Sequence, residues 1–151
     1  MSDNSPNSKS DEYHDKVKIL RKLRKDCIDK IKIYKKKFKK LKRIDDAIDM
    51  MTATFTGVSI SLTITGMTFP PLLIASATTS GFAFIIDRVQ DKYNFKSKYT
   101  QHNLTINQYN NLAREILTVL TKNNLTPDEY HNYIVEITDK ISLIEDTAII
   151  I

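Results

Sequence analysis

Residues 56–66 read TGVSISLTITG. Val58, Ile60, Leu62 and Ile64 alternate with Ser59, Ser61, Thr63 and Thr65, the pattern of a strand with one wet face. The same residues sit inside a run from Met50 to Ile86 that holds no Asp, Glu, Lys or Arg. A strand needs partners, and no other stretch of the chain alternates in this way. A lone two-stranded hairpin is marginal in water, and in lipid its open edges would leave backbone groups unpaired. A helix satisfies its own backbone. The reading is therefore two apolar helices, 50–69 and 71–86, joined at Pro70-Pro71, where tandem prolines disfavour helix at the preceding residue and mark a turn. At about 1.5 Å per residue each would span roughly 24–30 Å, short but workable for a bilayer core that thins locally.

Placed on a helix, the hydroxyl residues form two opposite stripes. Thr52, Thr56, Ser59 and Thr63 make one, the candidate for a pore lining or for a helix-packing seam. Thr54, Ser61, Thr65 and Thr68 make the other. Small residues also recur four apart, as Gly57, Ser61, Thr65 and as Ala75, Thr79, Ala83. Such spacing lets helices approach closely in lipid.

Upstream, residues 16–43 carry 15 Lys or Arg against only Asp26 and Asp29. Leu20, Leu23, Cys27, Ile31, Tyr34, Phe38, Leu41 and Ile48 follow a three-and-four spacing with one gap, at Asp45. This predicts a long basic amphipathic helix over 11–49, with a seam of coiled-coil type that offers a surface for homo-oligomerisation. Nothing at 44–56 stops it from running on into the apolar segment. The first ten residues, rich in Ser, Asn and Asp, are expected to be a disordered tail without the apolar core of a signal peptide.

Downstream, residues 87–151 hold 7 basic and 9 acidic side chains, so the net charge of +5 belongs to the basic segment alone. The stretch after Ile86 reads as a loop or helix extension. A helix follows over 104–122, with Ile106, Tyr109, Leu112, Ala113, Ile116, Val119 and Leu120 on one face. Thr126, Pro127 and Glu129 spell a capping box for a last helix over 127–146. These two should form an antiparallel pair. The fold class is all-α, with the C-terminal helical region cytosolic.

Lys35, Lys36, Lys39, Lys40, Lys42 and Arg43 precede the apolar run, and Arg88, Lys92, Lys96 and Lys98 follow it. The connecting turn is uncharged. The positive-inside rule places both termini in the cytosol. The basic helix would then lie against anionic headgroups, where each Lys or Arg contributes on the order of 1 kcal/mol. Two sequons, at Asn103 and Asn124, offer a check on that orientation.

Enzymatic chemistry is not indicated. His14, His102 and His131 are scattered, and none has ligand spacing with a Cys or an acid, so neither a metal nor a cofactor is expected. Cys27, the sole cysteine, lies on the apolar seam as a structural thiol. The basic helix has the charge to bind nucleic acid, but its seam and its continuation into the apolar run argue against that as the main role.

A basic helix, two short apolar helices, the stretch YNFKSKYTQHNLTINQYNNLAREILTVL over 93–120, and a capped closing helix together resemble the SLATT family, the SMODS and SLOG-associating two-transmembrane effector proteins. The resemblance covers residues 45–146 and is carried by Tyr93-Asn94-Phe95, His102, Tyr109, Leu112 and Ile116. The chain departs from the family pattern at its tail, where Ala148–Ile151 stand in place of prolines. The resemblance implies a stand-alone membrane effector that self-associates into pores and is triggered by an upstream activating protein, of a kind also found in large DNA viruses. His102 and Tyr109 would be a structural or regulatory pair outside the membrane. The rival class is a structural viral membrane or capsid-associated anchor that conducts nothing.

Overall fold

The computed structural model describes the backbone of residues 6–122 and 125–149, with side chains from residue 12 to residue 148 within those ranges. Among the described residues there are four helices and no strand: α1 (Pro6–Gly66), α2 (Pro71–Tyr93), α3 (Phe95–Thr121) and α4 (Pro127–Ile149). The protein is all-α, and residues 56–66 are helical. Their hydroxyls turn inward on their own helix: Ser61, Thr63 and Thr65 donate to the carbonyls of Gly57, Ser59 and Ser61 at 2.9–3.0 Å. A helix that absorbs its hydroxyls in this way needs no wet face.

α1 runs unbroken for 61 residues. It takes in both the basic and the first apolar segment because neither Gly nor Pro occurs between Pro6 and Gly57. Of the expected tail, residues 6–10 are the first turns of α1 and residues 1–5 lie outside the described residues. α1 ends at Gly66 because α2 returns against it. A Cβ there would stand 2.8 Å from the Leu73 side chain and 3.1 Å from its backbone nitrogen. Pro70 then caps α2 and Pro71 takes its first position, where the missing N–H costs nothing.

The expected loop after Ile86 is helix on both sides of one residue. Asn94 sits in the left-handed region (φ 46°, ψ 48°), and its N–H bonds the Gln90 carbonyl at 2.9 Å. Its side-chain oxygen accepts from Ser97 N at 3.4 Å. A single Asn thus ends one helix and caps the next, so α3 begins nine residues before the expected 104. The capping box of α4 forms as expected. Thr126 N and Oγ1 donate to Glu129 Oε2 at 2.7 and 2.9 Å, and Glu129 N donates to Thr126 Oγ1 at 3.3 Å. Of the tail 148–151, α4 takes in Ala148 and Ile149, while residues 150 and 151 lie outside the described residues.

The described residues divide into two compact units, 1–36 with 101–151, and 37–100. The first is a three-helix bundle built from the N-terminal part of α1, most of α3, and α4. Leu20, Cys27, Ile31, Ile106, Leu112, Ile116, Tyr130 and Ile137 fill its core. On the N-terminal seam of α1, Leu20, Cys27 and Ile31 are buried within this unit. Tyr34 stacks on Tyr109 (centroids 6.0 Å), Tyr13 meets Tyr130 edge-on (5.3 Å), and Lys30 pairs with Glu145 at 2.8 Å.

The second unit pairs the C-terminal half of α1 with α2. Its contacts run antiparallel from Thr63–Ser76 through Ser59–Ser80 and Phe55–Phe82 to Asp49–Gln90 and Phe38–Tyr99. These two helices are long and apolar enough to cross a membrane, and only 6% and 11% of their most apolar stretches are buried.

Candidate functional site

The apolar pair closes around hydroxyls. Ser59 and Ser76 are both buried. Each donates to the other's backbone carbonyl, Ser59 Oγ to Ser76 O at 3.1 Å and Ser76 Oγ to Ser59 O at 3.0 Å. The Ser80 hydroxyl also meets that of Ser59, and the Thr63 hydroxyl lies against that of Ser76. Reciprocal side-chain-to-carbonyl bonds need backbones in close approach, which only small residues allow. Ala83 is buried in the same seam, with Ala75 and Thr79 half-buried beside it. Of the stripe expected as lining, Ser59 and Thr63 therefore face the partner helix of their own chain. Thr56 is exposed, and Thr52 is half-buried with its hydroxyl enclosed and unpartnered. Ser76 and Ser80 escaped the sequence reading, although their four-residue spacing on α2 matches the other small-residue stripes.

The remaining stripe points the other way. Space is open within 4 Å of where a Gly57 Cβ would stand. Ser61 and Thr65 are exposed. With Ala53, Leu62 and Leu72 they line a shallow groove of about 500 Å³ on the outside of the pair. The packing roles thus separate: Ala75, Thr79 and Ala83 close the pair, while Gly57, Ser61 and Thr65 leave it open to a neighbour.

At the charged end of the same unit, Asp45 is 4% exposed. This is the residue that broke the apolar seam in the sequence. Gln90 Nε2 donates to Asp45 Oδ1 at 3.0 Å and to Asp49 Oδ1 at 2.7 Å. Burial first, and then the negative charges of Asp45, Asp46 and Asp49, hold the Tyr99 hydroxyl above its ordinary pKa. A cavity of about 580 Å³ opens here, lined by Asp45, Asp49, Asp87, Gln90 and Asp91. Among the described residues no group of three His, Cys, Asp or Glu is placed to hold a metal ion.

Family models, curated proteins and solved structures all give no match to this chain.

The basic residues Lys35, Lys36, Lys39, Lys40, Lys42 and Arg43 are all exposed, as are Arg88, Lys92 and Lys96. Arg88 lies over the Phe84 ring, 5.0 Å from its centroid. In the three-helix unit, Tyr109, Leu112 and Ile116 are core residues. His102 is half-buried, and it meets Tyr34 (5.6 Å), the ring that also stacks on Tyr109. His102 and Tyr109 are thus joined through Tyr34, a bridge no spacing rule within one helix would reveal. Burial raises the Cys27 thiol to about 11, which makes it a poor nucleophile. In the sequon at Asn103, the Asn is exposed while Thr105 is buried within α3, its hydroxyl donating to Gln101 O at 3.1 Å. Asn124 lies outside the described residues.

Proposed function

We propose that this chain is an integral membrane protein of two spans that self-associates, in the manner of the pore-forming effectors it resembles. One observation carries the reading. Twelve large apolar side chains between Met50 and Ile86 are exposed, among them Met67 at 78%, Ile74 at 74% and Ile64 at 64%. Moving such a side chain out of water is worth roughly 1.5–3 kcal/mol. The other described residues do not cover them, and hydrocarbon would. Basic residues flank the pair at its charged end, on both α1 and α2, which supports a cytosolic location for both termini and contact of Lys35–Arg43 with anionic headgroups.

Two helices enclose no pore, so conduction requires several copies. With Ser59 and Thr63 engaged inside the pair, the hydroxyl face left for a shared lining is Gly57, Ser61 and Thr65. A second reading, a membrane anchor that conducts nothing, draws support from the same closure, because the outward hydroxyls are already bonded to their own carbonyls. An activating partner rests on the family resemblance alone.

Two experiments test the proposal. Carbonate washing of membranes should leave the full chain in the pellet; release into the wash removes the membrane reading. Purified protein should then leak dye from anionic liposomes more steeply than in proportion to its concentration. Ser61→Leu with Thr65→Leu should abolish leakage without loss of insertion. Insertion with no leakage at any concentration establishes the anchor.

A further inference from the structure

The register of the apolar pair sets the length of its uncharged surface. Thr63 meets Ser76, Ser59 meets Ser80 and Asp49 is bonded by Gln90, which puts Asp87 opposite Thr52. The charged floor of the pair is therefore stepped. Asp87 on α2 stands three residues nearer the turn than Asp49 does on α1. Asp87 and Arg88 are both exposed. An Asp side chain is too short to carry its charge far along a helix. Arg88 is long enough, but its guanidinium lies over the Phe84 ring, 5.0 Å from the centroid and one turn nearer the middle of the pair.

From Thr52 to Gly66, where α1 ends, the helix rises about 21 Å, and the uncharged turn adds at most about one helical pitch of 5 Å. A typical hydrocarbon core is about 30 Å thick, so the uncharged surface falls short of it by roughly 4–9 Å. Tilting cannot make up the difference, because it shortens a span further. A short span makes the lipid thin around it, at a cost that grows with each ångström of mismatch. Nothing at the far end resists this. Met67 and Phe69 are 78% and 58% exposed, and residues 66–70 contain no charge, Trp or Tyr to hold the turn at an interface.

We propose that the lipid partner of the apolar pair is a thin bilayer, with a hydrocarbon core of about 21–26 Å, and that Asp87 with Arg88 sets that thickness. The proposal rests on the membrane reading above and adds to it which bilayer the pair selects. It does not depend on whether the protein conducts.

The chain contains no Trp, so Ile60→Trp, at an exposed mid-span position, supplies a single indole in lipid contact. Full-length Ile60→Trp protein is reconstituted in brominated dioleoylphosphatidylcholine mixed with an unbrominated phosphatidylcholine. The unbrominated chains are dimyristoleoyl, dioleoyl or dierucoyl, from thin bilayer to thick. Bromine quenches the indole, so the residual emission ranks the three lipids by their affinity for the protein surface. The thin lipid should bind about twofold or more tighter than the thick one, with dioleoyl between them. Asp87→Leu with Arg88→Leu moves the charged limit back to Asp49, about 4–5 Å further out, and should move the preference to dioleoyl. Asp91→Leu with Lys92→Leu removes the same charges one turn beyond that limit and should leave the ranking as it was. Equal affinity for the three lipids overturns the proposal, as does preference for the thick one. So does a ranking that Asp87→Leu with Arg88→Leu leaves unchanged, or that the outer substitutions shift as far as the inner ones. Absence of quenching in pure brominated lipid is a different failure: it puts position 60 in water and removes the membrane reading itself.

Discussion

The two units use similar apolar residues and solve opposite problems. In the three-helix unit Leu20, Ile116 and Ile137 are fully buried, and the polar faces carry ion pairs such as Lys140 with Glu115 and Glu136 at 2.6 and 2.7 Å. In the two-helix unit the buried positions are Ser59, Ser76 and Ala83, while Ile60, Ile64, Phe82 and Phe84 face outward. One unit buries its large apolar side chains and the other exposes them. The proposed membrane setting accounts for the second arrangement, because in lipid nothing is gained by hiding Leu from Leu, and small and hydroxyl residues can form the seam. α1 belongs to both units, and the change of rule along it falls near Asp45 and Asp49, where its charges end.

The contrast breaks most visibly in the core of the three-helix unit. Ile137→Ala should cost about 2–5 kcal/mol in the unfolding of that unit, read by hydrogen exchange of α4, and leave carbonate-resistant membrane association intact. Next in size is a charge on the outside of the apolar pair. Ile60→Lys, at the middle of the span, should disfavour insertion by roughly 2.5–3.5 kcal/mol, seen as a fall in the carbonate-resistant fraction. The same substitution at exposed Leu143 of the other unit should leave that fraction unchanged.

A smaller effect belongs to the start of α4. Thr126→Ala should destabilise the three-helix unit by about 1 kcal/mol in chemical denaturation. Hydrogen bonds from Thr126 hold the Glu129 carboxyl below its usual 4.5. A depressed carboxyl stabilises the fold above its unfolded pKa and loses that contribution as pH falls through the folded one, so the cost of Thr126→Ala should shrink in acid below pH 4.5. Cys27 has the opposite sign. Its thiol is raised from 9.0 to about 11. Its contribution is complete below pH 9 and falls as the solution approaches pH 11, a slope that Cys27→Ala should remove. Smallest is Ser59→Ala, worth about 0.6 kcal/mol to the apolar pair if it behaves like an average interhelical hydrogen bond in lipid, measured as slower disulfide formation in protein carrying Phe55→Cys and Phe82→Cys with Cys27→Ala.

Much of this was legible in the residues. The uncharged run outweighed the Ser/Thr alternation because a lone strand has nowhere to put its edges. Pro70-Pro71 placed the turn, and Thr126 to Glu129 placed the start of α4. The stretch 87–103 was harder, since one Asn in a left-handed conformation leaves no Gly or Pro to see. The apolar seam of α1 was visible, but its partner was not: periodicity shows that a face is buried and is silent on whether the same chain or another copy buries it. Tyr34, as the link between His102 and Tyr109, is a contact between distant segments and has no local signature. The hydroxyl stripe read as a unit divides in the structure: Ser59 is buried against α2 and Thr63 meets Ser76, while Thr56 is exposed.

The claim on which the rest depends is that the two-helix unit sits in hydrocarbon. Nitroxide labels at Ile60 and Phe82, in full-length Cys27→Ala protein reconstituted in anionic bilayers, measure it directly through collision with oxygen and with a water-soluble nickel chelate. Both sites should collide freely with oxygen and hardly at all with nickel, while a label at Lys39 shows the reverse. Nickel access at Ile60 and Phe82 equal to that at Lys39 would place these residues in water and contradict the account.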